Sequence, residues 1–341
     1  MPRARQYLLL VGALALVALV LYVTYQGRPK PIPRPPATAQ EGLAWIPAQA
    51  KLLVGVDLAG LRQQGWLLGT IEQVAGNVRE EPDYAAFVSA TGFDYSRDLD
   101  RVWLGAFGPA KQPPMAGVAQ GRFARSRIIG YARQQGATLH RHQGLEIYEL
   151  RFAPAAVGEP PRPFAFAFLD DSRIAFASDV ERAGMVIDCW LGRAPAIASD
   201  ASRRNELQQL AAGWQAWAVD TAGLWESLFS GNQPGPSDVG SVIAQLAVGL
   251  RASEQGLELG AEARCREPGQ AKRLHDNLKL MALLGQVALS RQENETMQAL
   301  GEALKQLSLA QREEIVEARL LLSPATVDKL LRAAPATARR H

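Results

Sequence analysis

The sequence predicts an α+β fold in which an N-terminal transmembrane helix precedes two related β/α halves around a mostly antiparallel sheet. Three observations carry this prediction: a 19-residue uncharged run near the N-terminus, strand and helix patterns that alternate from Ile46 onward, and one short string that recurs in the second half. Hydrophobic residues make up 48% of the chain and charged residues 21%. These proportions are typical of a chain that folds around a core, and not of a disordered or polytopic membrane protein.

The uncharged run covers residues 7–25 and reads YLLLVGALALVALVLYVTY. At 1.5 Å rise per residue, such a helix is about as long as the ~30 Å hydrocarbon core of a bilayer is thick. A cleaved signal peptide is the alternative, because the basic flank at residues 1–6 suits both. Signal peptides have shorter apolar runs that end at small residues, whereas this run ends in bulky ones. We therefore interpret residues 7–25 as an uncleaved anchor in the membrane.

A proline-rich linker follows at residues 26–43, with five prolines between Pro29 and Pro36. This density of proline favours an extended polyproline II spacer. Basic residues flank the anchor on both sides, so the positive-inside rule does not decide its orientation. A short basic start before one span is typical of a signal-anchor. The sequence thus predicts a single-pass protein of the inner (cytoplasmic) membrane whose body is periplasmic, that is, extracytoplasmic.

The net charge of +3 conceals an acidic body. Eight of the 37 basic residues lie in residues 1–40 or in the last ten residues, which include a flexible basic tail at 334–341. The rest of the chain therefore contains 29 basic and 34 acidic residues. Since nucleic-acid affinity depends largely on Lys and Arg that neutralise phosphates, we predict no nucleic-acid partner.

The first half, residues 44–195, alternates strands with helices. Strand patterns occupy 51–58, 101–108, 115–123 and 145–152, and a helix is predicted over 124–135. Residues 163–178 read as a hairpin in which Phe and Ala alternate, so the phenylalanines line one face and the alanines leave room for a closely packed element on the other. Ser178 and Glu181 predict a capping box for the next helix, which ends at Gly192.

The second half, residues 196–333, repeats this order. Strands are predicted over 245–253, 256–265 and 314–323, and helices from Pro268, over about 293–308, and after Ser323. The apolar stripe of the first of these helices comprises Ala271, Leu274, Leu278, Met281 and Ala282. VDLAGL at residues 56–61 recurs as VDTAGL at residues 219–224. Duplication explains the match, and coincidence in a chain rich in Ala, Leu and Gly is the alternative.

Asp57 and Asp220 are the matched acids of this repeat. Paired carboxylates could perform acid–base or glycosidase chemistry if they lay some 5–9 Å apart. Each of them also follows a strand and precedes a small-residue turn, where Asp commonly caps a helix. We favour the cap.

His140 and His142 stand at i and i+2, a spacing that places two imidazoles on one face of a strand, where both could ligate zinc. The segment between Gly136 and Gly144 also suits a loop and edge strand with exposed histidines. The chain contains no phosphate-binding glycine motif and no nucleophile elbow, and we predict no cofactor and no catalytic residue.

Aromatic residues and cysteines are the remaining candidates. Phe164, Phe166, Phe168, Trp217 and Trp225 could form an apolar or partner-binding surface, and core packing is the alternative reading. Cys189 and Cys265 could form a disulfide in an oxidising compartment, or could be two buried free thiols.

The anchor, the proline-rich spacer and the string WIPAQAKLLVGVDL at residues 45–58 together resemble the opening of uncharacterised bacterial single-pass membrane-anchored proteins that carry a domain of unknown function. The similarity covers the anchor and about 20 residues beyond it. It implies a bacterial envelope setting and brings no active-site residues with it.

The sequence therefore favours a non-catalytic, membrane-tethered binding or scaffold domain whose partners are envelope proteins. One alternative is a carrier that holds an apolar ligand between the Phe-rich sheet and the helices of residues 268–308. Another is an envelope hydrolase that uses Asp57, Asp220 or the histidines.

Overall fold

The computed structural model describes residues 39–67, 82–108, 113–152, 162–220, 242–292 and 295–333. The predicted basic flank, anchor and tail, most of the linker and Trp225 lie outside these ranges. Within them, no helix is both long and apolar enough to cross a bilayer.

The described chain alternates strands and helices. The strands are β1 (Leu52–Asp57), β2 (Leu99–Ala106), β3 (Met115–Gly121), β4 (Thr138–His142), β5 (Leu145–Phe152), β6 (Arg162–Phe168), β7 (Arg173–Ala177), β8 (Ala216–Asp220), β9 (Ile243–Ser253), β10 (Gly256–Cys265), β11 (Ser308–Arg312) and β12 (Ile315–Leu322). The helices are α1 (Ala39–Leu43), α2 (Leu58–Arg62), α3 (Pro82–Thr91), α4 (Tyr95–Asp98), α5 (Arg125–Gln134), α6 (Val180–Trp190), α7 (Ala201–Ala211), α8 (Pro268–Ser290), α9 (Glu295–Leu304) and α10 (Pro324–Ala333).

All twelve described strands belong to one sheet, in the order β11-β12-β10-β9-β8-β1-β2-β3-β7-β6-β5-β4. Every pairing between neighbours is antiparallel. The predicted α+β class with an antiparallel sheet is therefore confirmed. The strands of the first half lie on one side of the β1/β8 pair, and those of the second half lie on the other.

The order of strands is similar on the two sides of this pair. Outward from the centre, β8-β9-β10-β12-β11 corresponds to β1-β2-β3-β7-β6, and the β5/β4 hairpin extends the first half at its edge. A common origin of the two halves stays a prediction.

Helices cover both faces of the sheet. The first face carries Trp103 and Trp217, and α1 and α7 pack over its centre while α6 packs over β3, β6 and β7. The second face carries Phe168 and Leu250. There α5 covers the first half, and α2, α8, α9 and α10 cover strands of the second. Because successive side chains of a strand point to opposite faces, the helices on the two faces bury alternate residues of the strands between them.

The Phe/Ala hairpin forms as predicted, as β6 and β7. Phe166 and Phe168 point to the second face and pack against Ile128 of α5. Ala167 and Ala175 point to the first face, where α6 packs against them. The small alanine side chains allow this close approach of helix to sheet.

The cap of α6 lies one residue later than the sequence predicts. Asp179, not Ser178, is the N-cap, and its carboxylate accepts a 2.9 Å hydrogen bond from the backbone N–H of Arg182. The Ser178 hydroxyl instead contacts the backbone of Met115 on β3. Gly192 follows the helix with φ of 69°, as predicted for its end.

Two further predictions need correction in the second half. The helix predicted over 293–308 ends at Leu304; residues 305–307 form a turn, and Ser308 begins strand β11. Met281, assigned to the core-facing stripe of α8, is 56% exposed. Ala271 and Leu274 of the same stripe are buried against the second face of the sheet, as predicted.

Glycines in the central strands make room for tryptophans. The indole of Trp217 on β8 lies over Gly55 of β1, its register partner, and a Cβ on Gly55 would overlap the ring. Trp214 in the same way occupies the space over Gly249 of β9 and Gly260 of β10. The aromatic rings thus fill positions where strand side chains would otherwise stand.

Replacement of Gly55 with Ala should therefore destabilise the chain by about 1–3 kcal/mol, because the added methyl must displace the indole of Trp217. Guanidinium unfolding of the full chain in detergent, followed by tryptophan fluorescence, measures this. The matched control is Gly130→Ala in α5, where nothing lies within 4 Å of the new Cβ. That variant should gain about 0.5–1 kcal/mol from reduced backbone entropy. Equal effects of the two substitutions would contradict the glycine–tryptophan packing.

Candidate binding surface

The described surface carries one helix segment with an unusual concentration of exposed apolar side chains, in the C-terminal half of α8. We call it the apolar segment. Its members are all about half exposed: Leu280 55%, Met281 56%, Leu283 57%, Leu284 59% and Val287 46%. Contiguous exposed apolar residues on this scale are typical of an interaction site, since scattered single ones are normal and clusters are not.

The opposite side of the same segment is buried, and this explains how the helix is held. Leu289, 2% exposed, packs against Leu300 and Leu304 of α9. The side-chain amide of Gln286 donates a 2.8 Å hydrogen bond to the carbonyl oxygen of Leu304. Earlier in α8, Ala271 and Leu274 pack on the sheet. The helix is therefore fixed along its inner side while leucines occupy its outer side. A helix that is apolar on all sides is normally buried on all sides.

Charged residues border the apolar segment along α8. Asp276, with a 61% exposed side chain, lies one turn before Leu280, and its Oδ1 is 3.1 Å from Nδ1 of the adjacent His275. Lys279 precedes the segment, and the exposed Arg291 follows it. The surface thus has an apolar centre with a charged border, the arrangement typical of a protein interface.

Asp57 and Asp220 do not form a carboxylate pair. Asp220 lies opposite Leu52 in the β1/β8 ladder, and Leu52 is five residues before Asp57. At about 3.4 Å per residue the two acids are roughly 17 Å apart along the strands. Because side chains alternate, residues an odd number apart also point to opposite faces. This geometry excludes the acid–base pair that a glycosidase requires.

The cap interpretation of Asp57 is confirmed. Its carboxylate accepts a 3.0 Å hydrogen bond from the N–H of Gly60 at the start of α2. It also lies 3.5 Å from Nε of Arg101 on β2. Asp220 is 5% exposed at the end of β8, and the turn that follows it lies outside the described residues.

His140 and His142 lie on edge strand β4, and each contacts a different carboxylate. His140 Nε2 is 3.1 Å from Glu149 Oε2 on β5, and His142 Nε2 is 2.8 Å from Asp188 Oδ1 on α6. Within the described part of the chain, no three His, Cys, Asp or Glu residues come together as metal ligands would. The second contact links the edge hairpin to α6.

Both cysteines are free and buried: Cys189 lies on α6, and Cys265 lies at the end of β10 in a hydrophobic cluster with Ala271 and Leu274. Of the two alternatives, the structure therefore contains two free thiols and no bond between them. Burial, with a smaller contribution from the charge of Asp188, raises the pKa of Cys189 to about 11. Burial likewise raises the pKa of Cys265. At neutral pH both remain protonated thiols.

The predicted aromatic surface lies mostly in the core. Phe166, Phe168 and Trp217 are 5%, 3% and 6% exposed, so these three do not present a surface. Phe164 is partly buried near the edge, with its ring 6.0 Å from that of Phe152, which is 54% exposed. The phenylalanines pack against α5 rather than against α8. The apolar segment, which the sequence reading missed, takes their place as the candidate surface.

Its signal was present in the sequence. Residues 280–289 read LMALLGQVAL, in which Gln286 is the one side chain that is neither apolar nor glycine. A single apolar stripe suffices to hold a helix on a sheet, so a stretch that is apolar all round predicts a second contact.

A second, polar candidate lies on the first face of the second half. A cavity of about 190 Å³ lies beside Trp214, and Glu262, Glu317 and Arg319 contribute to its lining. Glu262 and Glu317 are register partners on β10 and β12. Burial, and next the charge of Glu317, raise the pKa of Glu262. The ring of Trp214 packs against the strand glycines Gly249 and Gly260, and its centroid lies 5.6 Å from the Arg251 guanidinium. It therefore offers no free face on which a ligand could stack.

The most buried carboxylate with described partners is Asp98, and its pKa is lowered, whereas that of Glu262 is raised. Burial alone would raise its pKa, but hydrogen bonds from Arg97 and from the backbone N–H of Asp94 lower it. Arg97 Nη2 lies 2.7 Å away and Arg122 Nη2 3.3 Å away. Asp98 is thus a structural anion that joins α4 to its surroundings, and not a proton donor.

Comparisons with known proteins find solved structures of low similarity. No family model matches the chain, and no curated protein matches it in sequence. Among solved structures, crystal form III of TP0453 aligns with TM-score 0.48 and 9% identity over 85% of this chain and 97% of that one. Crystal forms I and IV align with TM-scores 0.44 and 0.46, each at 10% identity over 85% of this chain and 96% and 95% of theirs. TM-scores below 0.5 do not establish a common fold.

Replacement of Glu262 with Gln should stabilise the chain at pH 7 by about 0.2–1 kcal/mol, because it removes a like-charge pair directly across two strands. A raised pKa in the folded state means that the native chain binds this proton more tightly. The stability that protonation of Glu262 contributes is therefore present below the ordinary pKa of about 4.3, and it is lost as pH rises through the pKa of the folded state. The gain should vanish near pH 4, in unfolding curves recorded at both pH values. Glu254→Gln, at an exposed turn, is the control; a gain that persists at pH 4 would contradict the charge explanation.

The two thiols should react slowly with maleimide in the folded chain at pH 7, and rapidly once guanidinium unfolds it. The physical reason is that both are buried and protonated. Mass spectrometry of the labelled chain counts the modified cysteines. Rapid labelling of either one without denaturant would contradict the burial.

Proposed function

We propose that this chain is a non-catalytic binding or scaffold domain, tethered to the inner membrane by residues 7–25 and placed on the extracytoplasmic side, which contacts a protein partner through the apolar segment of α8. The single observation that carries the proposal is the exposure of five large apolar side chains on one rigidly held helix. Full burial of such a side chain from water is worth roughly 1.5–3 kcal/mol, and since these five are about half exposed, a partner that covers the segment gains about half of that for each one.

The distribution of the polar chemistry supports a non-catalytic role. The matched aspartates lie far apart on opposite faces, the histidines have separate carboxylate partners, and the cysteines are buried. A catalytic site needs groups that converge within hydrogen-bond reach of one reacting atom. Asp57, His140 and His142 instead each have a structural contact of their own.

The tether fits a binding role because it limits where the partner must be. A proline-rich spacer of this length holds the body within tens of ångströms of the bilayer, at about 3.1 Å per residue. Confinement to a surface raises the effective concentration of any partner in the same membrane. Moderate affinity at the apolar segment then suffices for occupancy.

A photo-crosslinking amino acid in place of Leu284 tests the surface in native membranes. We expect covalent adducts with protein from this position. The control places the same amino acid at Glu181, an exposed position at the start of α6, from which no specific adduct should form. Equal adduct patterns from the two positions, or none from either, would contradict the proposal.

The side of the membrane is tested with Ala37→Cys in the linker and a membrane-impermeant maleimide. Labelling of intact cells, after the outer membrane is made permeable, is expected for an extracytoplasmic body. The native cysteines contribute little background because they are buried. Labelling only after lysis of the inner membrane would place the body in the cytoplasm.

A further inference from the structure

We infer that the occupant of the apolar segment is a second copy of this chain, with two α8 helices packed antiparallel around a two-fold axis between residues 283 and 284. The inference rests on the proposed function and deepens it by naming the partner. It is carried by the order of residues along the exposed side of α8.

That order has an acid at one end and a base at the other. Asp276, Leu280, Leu283, Leu284, Val287 and Arg291 follow one another at i, i+4, i+7, i+8, i+11 and i+15. These spacings keep the side chains on one side of a helix. Asp276 and Arg291 lie at equal distances from the midpoint of the leucines, about 11 Å each at 1.5 Å per residue.

An antiparallel second copy matches this arrangement with itself. In that register Asp276 faces Arg291 of the second copy, Leu280 faces Val287, and Leu283 faces Leu284. A two-fold axis repeats each contact, so two ion pairs enclose one apolar centre. A parallel pair would instead bring like charges together at both ends. The charge order thus selects the antiparallel arrangement.

The same charge order counts against a lipid surface as the occupant. Helices that lie in the membrane interface carry Lys and Arg along the border of a long apolar face. Here the exposed apolar stretch is about two turns long, and Asp276, with its side chain 61% exposed, lies in line with it. An anionic bilayer would repel that carboxylate. Two tethered copies in one membrane, by contrast, meet at high effective concentration.

Cysteine crosslinking of the full chain in its membrane tests the arrangement. Leu284→Cys lies next to the axis, so oxidation should give a covalent dimer of twice 36.9 kDa. Asp276→Cys alone should not crosslink, because its two copies lie 15 residues apart along the pair, about 22 Å. Differently tagged copies that carry Asp276→Cys and Arg291→Cys should crosslink to each other when expressed together. This last result is specific to the antiparallel register.

Charge reversal tests the two ion pairs separately and leaves the remaining apolar residues of the segment unchanged. Asp276→Arg and Arg291→Asp, each in the Leu284→Cys background, should each lower the yield of crosslinked dimer about tenfold, since each creates two like-charge contacts. The combined exchange restores both pairs and should return the yield to within about threefold of the parent. Failure of the exchange to restore it would overturn the proposed register.

The outcomes separate this inference from the proposed function. If position 284 crosslinks to a protein of a different mass and forms no dimer, the second copy is wrong and the binding role stands. If the photo-crosslinking amino acid at position 284 yields adducts with lipid alone, both are wrong, and the segment contacts the bilayer. If Asp276→Cys copies crosslink to each other, the helices pair in parallel and the antiparallel inference is overturned.

Discussion

The central β1/β8 pair depends on one steric constraint: indole rings fill the space that glycines leave open. Trp217 lies over Gly55, and Trp214 lies over Gly249 and Gly260. Without these glycines the rings would clash with strand side chains, and without the rings the glycines would leave voids between sheet and helices. Because β1 belongs to the first half and β8 to the second, the same packing joins the described strands of the two halves into one sheet.

Given this continuous sheet, the positions of the helices follow from side-chain size. Small alanines on one side of β6 and β7 admit α6 at close range, and phenylalanines on the other side fill the larger gap beneath α5. The inner side of α8 is likewise fixed by Ala271 and Leu274 on the sheet and by Leu289 against α9. The outer side of α8 is then exposed by geometry, because its inner side already has its contacts.

Polar groups in this fold serve mainly to hold elements in place. Asp57 and Asp179 cap helices, and His142 links an edge strand to α6. Asp98 forms ion pairs with two guanidinium groups. One polar contact is unfavourable: Glu262 on β10 lies opposite a second glutamate, Glu317, on the neighbouring strand β12. Apolar surface, and not converging polar chemistry, is therefore what the described part of the molecule offers to a partner.

The sequence by itself determined the local structure and the character of the chain. The apolar run KLLVGVDL predicted strand β1, the Phe/Ala alternation of PFAFAF predicted β6, and Gly192 predicted a helix end, because these signals depend on neighbouring residues alone. It placed the α6 cap one residue early, since Ser178 and Asp179 can both accept from a helix amide, and contact of Ser178 with β3 decides between them. It also assigned the start of β11 to a helix, because pairing with β12 overrides local preference there.

Only the tertiary structure decided which residues meet. Strand order placed Asp57 and Asp220 at opposite ends of β1/β8, buried the phenylalanines under α5, and kept the cysteines apart. It also left Leu280, Leu283 and Leu284 exposed, although these leucines are as apolar as those in the core. Hydrophobicity in a sequence predicts that a residue will be buried against something. Whether that surface belongs to the same chain depends on contacts between residues far apart in sequence, which no local pattern contains.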